Sequence, residues 1–294
     1  MKTAVIGYGN MGKHHARVFS EISDLVAVSD LNEVTNYNWY SDYMKMIKEK
    51  KPDCVSVAVP TKFHCKVVCD VLEYCHVLVE KPIAMTSIEA KKMIETAKKY
   101  NKKLMVGHIE RFNPAVNYLK NFVKKNNERI LSLDIMRLGV SPPKNPSTGV
   151  LIDLAIHDID LFRYLTCEEV NQCLSKKECF GFTNFDDHAH IFIKSDNSSA
   201  SIVVNWFNPR KIRHIYATLK ESFWYINLVQ QEINIFEKDD NANSVKTIEL
   251  FKEEPLKLEL TEFINCINEN RKPLINGNDG LMTLITAEKI IGGE

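Results

Sequence analysis

Asp153 and His157 stand four residues apart in the stretch Val150–Leu165, and Asp160 follows three residues later. Residues at i and i+4 share one face of a helix, so the spacing predicts an acidic–imidazole stripe on an otherwise apolar helix. A carboxylate beside an imidazole can orient the ring and stabilise its protonated form, which makes His157 a candidate acid or base. A hydrogen-bonded core histidine fits the same pattern equally well. Glu80-Lys81-Pro82 closes an apolar run, and the carboxyl ends of parallel strands are where open sheets meet ligands. A lysine there is ordinarily a solvated charge, but Pro82 ends ladder pairing and fixes the backbone direction just beyond it.

Gly7-Tyr8-Gly9-Asn10-Met11-Gly12 is a G-x-G-x-x-G run between a predicted strand and a predicted helix, and Asp30 ends the next strand. In that context it reads as a cradle for a dinucleotide pyrophosphate. The first glycine permits the tight turn, the second lets backbone approach the phosphates, and the third allows close helix packing. The amides that open the helix face the phosphates. Asp30 would accept hydrogen bonds from the adenosine ribose, and no Arg or Lys follows in Leu31-Asn32-Glu33. NAD is therefore favoured over NADP.

These residues need a scaffold. Strands are predicted at Lys2–Gly7, Asp24–Ser29, Asp53–Pro60, Val77–Glu80 and Lys103–Gly107, with helices at Asn10–Ser20, His64–Tyr74 and Ser87–Asn101. Apolar strands alternating with helices imply a parallel sheet covered on both faces. Past residue 118 the pattern changes. Helices at Ala115–Lys125 and Val150–Leu165 flank the strand Ile130–Arg137 and the Pro-rich segment Ser141–Thr148. Strands then follow one another at His188–Lys194, Ser199–Phe207, Lys211–Leu219, Phe223–Val229, Glu232–Phe236 and Val245–Leu250, before helices at Pro255–Asn270 and Asp279–Ile291. The fold class is α/β: an N-terminal Rossmann doubly wound domain over 1–118, and an α+β domain over 119–294 with a mostly antiparallel open sheet.

The chain has 294 residues, 38 Lys plus Arg and 38 Asp plus Glu, for a formal net charge of zero. That balance gives no general attraction to nucleic acid or an anionic membrane. No apolar run approaches the roughly 20 residues of a spanning helix, and the N-terminus lacks signal-peptide features, so a soluble, cytoplasmic protein is expected. The 8 cysteines contain no CxxC pair and read as free thiols, with no metal expected. Asp186-Asp187-His188-Ala-His190 reads as sheet surface. His14 and His15 read as packing behind the glycine run, and Phe223, Trp224 and Tyr225 as core or interface.

Taken together, AVIGYGNMGKHHARVF, VSVAVPTKFH, VLVEKPIAMTSIEA and GVLIDLAIHDIDLFRYL resemble the glucose–fructose oxidoreductase/inositol dehydrogenase (Gfo/Idh/MocA) family over nearly the whole chain. The resemblance implies that Lys81, Asp153 and His157 form the catalytic group beside the nicotinamide. It implies cofactor contacts from Gly7, Tyr8, Gly9, Asn10, Met11, Gly12, Asp30, Pro60, Thr61, His64, Glu80 and Lys81. Substrate contacts are implied for His108, Arg111, Phe112, Asn113, Arg137, Asp153 and His157, and the assembly is expected to be a homo-oligomer. GHIERFNPAV, NWFNPRKIRHIYATL and EPLKLELTEFINCI look like the branch of UDP-N-acetylglucosamine 3-dehydrogenases. That similarity implies a nucleotide-sugar substrate whose diphosphate would meet Arg137, Lys144, Lys211 and Arg213. Dehydrogenases of a free sugar, inositol or a dihydrodiol, and a non-catalytic sensor on the same fold, are the alternatives. One departure is local: the stretch between Asp30 and Trp39 is too short for the usual crossover helix.

Overall fold

The computed structural model describes residues 1–143, 148–238 and 243–292. Strand and helix alternate through β1 (Lys2–Ile6), α1 (Asn10–Ile22), β2 (Asp24–Ser29), β3 (Trp39–Tyr40), α2 (Tyr43–Lys50), β4 (Cys54–Val57), α3 (His64–Val71), β5 (His76–Glu80), α4 (Ser87–Lys99) and β6 (Leu104–Gly107). The strands make a parallel sheet in the order β3-β2-β1-β4-β5-β6. All four residues of β4 and of β6 are buried, as a sheet covered on both faces requires. Local chemistry sets the helix ends. Asp42 caps α2 by accepting from the amides of Met44 and Lys45. At the start of α4 the Thr86 hydroxyl accepts from Glu89 N–H, and the Glu89 carboxylate accepts from Met85 N–H. The expected gap after β2 is present: residues 31–38 hold only turns and bends, and the next helix comes after β3. The Trp39 indole donates to Asp30 O at 3.0 Å, which anchors that helix-free connection.

The rest of the chain runs through α5 (Pro114–Asn126), β7 (Ile130–Leu138), α6 (Ile156–Thr166), β8 (Gln172–Glu178), β9 (His188–Lys194), β10 (Ser199–Asn205), β11 (Ile212–Leu219), β12 (Ser222–Asn227), β13 (Glu232–Lys238), β14 (Asn243–Ile248), α7 (Pro255–Asn268) and α8 (Gly277–Gly292). The second sheet has the order β14-β13-β12-β11-β7-β10-β9-β8, antiparallel except where β7 meets β10. One face is apolar and covered: Trp224 is fully buried and meets the rings of Tyr118 and Phe122 on α5. The opposite face exposes Leu174, Phe192, Phe223, Phe236 and Val245. Strand β8 escaped the sequence pattern because its side chains are almost all exposed and polar, which leaves no alternation to read.

The chain folds into two units, and the division is not a single cut after residue 118. The first unit takes Met1–Ile109 and also Leu256–Leu284, while the second takes Glu110–Pro255 and the remainder of α8. The returning segment belongs to the first unit for two reasons. Val106 N–H donates to Ile275 O at 3.1 Å, and Gly280 approaches Val106 and Ile83 closely enough that a Cβ there would clash. No helix among the described residues is long and apolar enough to cross a membrane.

Candidate active site

In the first unit the glycine run turns sharply out of β1. Gly7 has φ +92°, and a Cβ there would lie 2.7 Å from the backbone of Ala58 and Val59. A Cβ on Gly12 would lie 1.9 Å from Gly7 O, so α1 can start this close to the turn only with glycine at that place. A Cβ on Gly9 would meet nothing within 4 Å. Gly9 is also the N-cap of α1, and no side chain caps that end. Close packing at the two outer glycines and clear space at the middle one fit a dinucleotide pyrophosphate seated on the helix amides. Asp30 does more than the sequence suggested. One carboxylate oxygen accepts from Tyr8 N–H at 2.6 Å and the other from Asn32 N–H at 2.9 Å, so the residue expected to meet a ribose fixes the glycine turn. Tyr8 packs edge-on against Tyr37.

Lys81 follows Glu80 at the end of β5, and the Lys81-Pro82 bond is cis. Its neighbourhood is held from two sides by histidines. His15, fully buried on α1, lies 2.9 Å from Glu80 Oε1 through Nε2 and 2.6 Å from Ser56 Oγ through Nδ1. Burial alone would raise the pKa of Glu80, but the His15 hydrogen bond and charge bring it below the usual carboxyl value. Glu80 is therefore an acceptor, and His15 Nε2 donates to it. The Ser56–His15–Glu80 line has the residue types of a hydrolase triad, yet Ser56 and His15 are fully shielded, so no nucleophile is presented. Its role is to hold the strand end that carries Lys81. His64 does the same from α3, with Nε2 2.9 Å from Val59 O and Nδ1 2.9 Å from Pro82 O. At 1% exposure it ties backbone together, a correction to its assignment as a cofactor contact, and burial lowers its pKa. Glu80 likewise points its carboxylate inward to His15. Pro60 and Thr61 lie at the loop leaving β4, where Pro60 is exposed. Nearby Glu259 on α7 is fully buried, with no hydrogen bond to either oxygen. Burial and then the charge of Glu80 push its pKa well above the usual value, which favours the neutral acid.

In the second unit the stripe expected from even helical spacing is broken. Leu151–Ala155 is a π-helical turn that runs into α6, which shifts Asp153 out of the simple i,i+4 register with His157. The three polar residues of the stripe go different ways. Asp153 Oδ2 accepts from the Trp206 indole at 3.1 Å. His157 is 7% exposed on the first turn of α6. Asp160 is sealed in a bidentate pair with Arg111, both contacts at 2.7 Å.

Arg137, expected to meet substrate, is 1% exposed. Its Nε and Nη2 contact Asp158 at 2.7–3.0 Å and its Nη1 contacts Glu110 at 2.7 Å. Burial opposes the charge on Arg137, but the two carboxylates outweigh it and raise the pKa. Burial also raises Asp158; the three short nitrogen–oxygen contacts identify the pair as ionised. Arg213 shares Glu110 at 3.1 Å. Burial would raise the pKa of Glu110, and Arg137 and Arg213 lower it.

Arg111 and Arg137 are thus structural ion-pair partners, because their donors are already committed. Asn113 is too: it caps α5 and its amide donates to Leu228 O at 2.9 Å. Phe112 and His108 are buried. Lys144 lies outside the described residues, while Lys211 is exposed and Arg213 partly so. Sequence reasoning missed Glu110, Asp158, Trp206 and the role of His15. The Asp158 signal was present as a second acid next to His157 inside an apolar helix. Among the described residues no group of three or more His, Cys, Asp or Glu is placed to hold a metal ion.

Comparison with known proteins bears on this arrangement. Residues 1–108 match the model of the oxidoreductase family with an NAD-binding Rossmann fold, and residues 140–219 match the Gfo/Idh/MocA C-terminal domain. The chain belongs to the Gfo/Idh/MocA oxidoreductases. Among relatives of this family, a UDP-N-acetylglucosamine 3-dehydrogenase of Acidithiobacillus ferrooxidans is 27% identical, over 99% of this chain and 96% of that one. The myo-inositol 2-dehydrogenase of Thermotoga maritima is 25% identical, over 97% and 93%. A solved structure of the Acidithiobacillus ferrooxidans enzyme superposes with a TM-score of 0.92 at 24% identity, covering 99% of this chain and 96% of that one. Levoglucosan dehydrogenase in complex with NADH and L-sorbose gives 0.90 at 20% identity, covering 100% and 96%. The fold is that of these Gfo/Idh/MocA enzymes, and the chain is an oxidoreductase with an NAD-binding domain.

Proposed function

We propose that this chain is an NAD-dependent dehydrogenase that oxidises the 3-hydroxyl of a UDP-N-acetylhexosamine to a 3-keto sugar. The observation that carries the reading is the end-to-end match with a UDP-N-acetylglucosamine 3-dehydrogenase. The nicotinamide cofactor, when bound, supplies the hydride acceptor. The chain's own residues supply the rest. The open face at Gly9 and the uncapped amides of α1 receive the pyrophosphate. The Asp30 carboxylate offers acceptors to the ribose and repels a 2′-phosphate, which favours NAD. Lys81 donates a hydrogen bond to the substrate oxygen and stabilises its developing charge. His157 takes the hydroxyl proton, and Asp153, anchored by Trp206, is assigned to the substrate.

Of the cations expected at a diphosphate, Lys211 and Arg213 are the described ones that are not fully buried, and Arg213 also shares Glu110. The charge of Arg213, followed by burial, lowers the pKa of Lys211, and a bound dianion would relieve that repulsion. The free thiols suit a reducing cytoplasm, and the uncovered apolar face of the second sheet suits a homo-oligomer. The Thermotoga maritima relative supports a second reading, oxidation of an inositol. Offering NAD or NADP with UDP-N-acetylglucosamine, free N-acetylglucosamine and myo-inositol, and following NAD(P)H, decides between them. The nucleotide sugar with NAD should give the highest kcat/KM, because diphosphate binding energy positions the reacting carbon. Faster oxidation of inositol or the free sugar would overturn the nucleotide-sugar assignment.

A further inference from the structure

Away from these groups, in the second unit, Lys120 on α5 reaches the C-terminal end of α6. Its ammonium donates to Tyr164 O at 2.6 Å and to Leu165 O at 3.3 Å, two carbonyls left without helical partners in the last turn. The same nitrogen stands 2.7 Å from Cys167 Sγ. That is the length of an N–H···O bond, although sulfur is the larger acceptor. It is too short for an ordinary N–H···S contact and too long for a direct N–S bond, and one bridging oxygen atom spans it. Cys167 is the C-cap of α6 in the left-handed conformation, φ 60°, where glycine or asparagine is the usual occupant. Its thiol is free and exposed, so an oxidant reaches it. The lysine is fixed by the two carbonyls and by the Tyr164 ring, 5.2 Å from the nitrogen, so the pair is pre-aligned.

We propose that Lys120 and Cys167 are a modification site, joined by hydroperoxide into an Nζ–O–Sγ cross-link between α5 and the end of α6. The ammonium first releases a proton to solvent. One hydrogen peroxide then oxidises the thiol to a sulfenic acid and leaves as water. A second is reduced to two waters as the sulfenic oxygen bonds to nitrogen and the S–O–H and one N–H hydrogen are lost. The S–H bond and one N–H bond are replaced by S–O and O–N bonds, three waters form, and four electrons pass to the two peroxide O–O bonds. Thiol reductants reverse the bridge. It braces α6, the helix that carries His157.

The experiment treats the full chain with hydrogen peroxide, then compares intact mass, peptide mass and Tm before and after dithiothreitol. The peptides bearing Lys120 and Cys167 should run as one species, heavier than their sum by one oxygen less two hydrogens, and separate on reduction. Lys120→Arg and Cys167→Ser should each abolish the linked species. Oxidised wild type should melt about 5 °C above oxidised Cys167→Ser, as a cross-link closing a long loop does. A sulfinic acid on Cys167 beside an unmodified Lys120, or a linkage without the oxygen, would overturn the proposal. So would linked species that persist in Lys120→Arg.

Discussion

Around Lys81 the positions are set by backbone: a glycine turn with no room for a Cβ at Gly7 or Gly12, and histidines that bridge strand ends and carbonyls. Around His157 they are set by charge, in the pairs Arg111–Asp160 and Arg137–Asp158 with Glu110 between Arg137 and Arg213. The two designs fail differently. A backbone-built site tolerates changes of charge nearby but not one added Cβ. A charge-built site tolerates changes of shape but not the loss of one partner, because a buried carboxylate is then left alone. The chemistry assigned to each half fits its construction. Phosphates and ribose need fixed amides and space, whereas a base on a buried helix needs its surroundings neutralised so that its own protonation decides the charge.

The largest expected effect lies in the charge-built half. Arg137→Met should destabilise the protein by roughly 3–5 kcal/mol, since Asp158 and Glu110 lose their shared cation. Tm should fall by more than about 8 °C in a thermal melt. Replacing the whole cluster by apolar residues of similar volume should recover most of that loss. An Arg137→Met variant that melts within a degree or two of wild type would show that the cluster does not hold this half together.

Next come the glycines, which separate packing from binding. Gly12→Ala places a methyl 1.9 Å from a backbone oxygen, so both Tm and NADH affinity should drop. Gly9→Ala meets nothing in the chain, so Tm should stay within about 1 °C. NADH binding, followed by fluorescence titration, should nevertheless weaken by at least roughly tenfold, as a lost pyrophosphate contact of about 1.4 kcal/mol implies. Retained affinity in Gly9→Ala would mean that the phosphates do not approach there.

These contrasts also explain what could be read from the residues. Gly7, Gly12 and the alternation of apolar strands with helices were legible because each residue's role is decided by its own backbone and immediate neighbours. The missing crossover helix was legible as simple arithmetic on chain length. Arg137 was misassigned because the identity of its partners is tertiary information: Glu110 lies 27 residues before it and Asp158 21 after it, and no local pattern announces such a pairing. The π turn was hidden for another reason. A stretch rich in Leu and Ile looks the same with one extra residue in the turn, yet that residue sends Asp153 toward Trp206.

A smaller effect tests a carboxylate that serves the backbone of the glycine turn in the first unit. Asp30→Ala removes the acceptor for Tyr8 N–H as well as a ribose acceptor. NAD affinity should fall by roughly tenfold, consistent with about 1.5 kcal/mol for a hydrogen bond to a charged group. NADP should lose less, since a repulsive charge also disappears. Equal losses for both cofactors would assign Asp30 to the turn only.

The last test is a titration at Glu259, the exception that sharpens the comparison, because its buried carboxyl accepts no hydrogen bond among the described residues where those of the second unit are paired. Its pKa in the folded protein is raised well above 4.5 by burial and by Glu80. The folded state therefore holds a proton that the unfolded state releases above about pH 4.5. The stability from that proton is fully present below the unfolded value and declines as pH rises toward the folded pKa, at about 1.4 kcal/mol per pH unit within that window. Glu259→Gln keeps the shape and cannot titrate, so it should remove this decline. The variant should melt at nearly the wild-type temperature near pH 4.5 and above it at pH 7, with the gap widening between. If wild type instead gains stability over the variant as pH rises, Glu259 is ionised and paired in the folded chain, and the first unit then contains a charge-built element of the kind seen around Arg137.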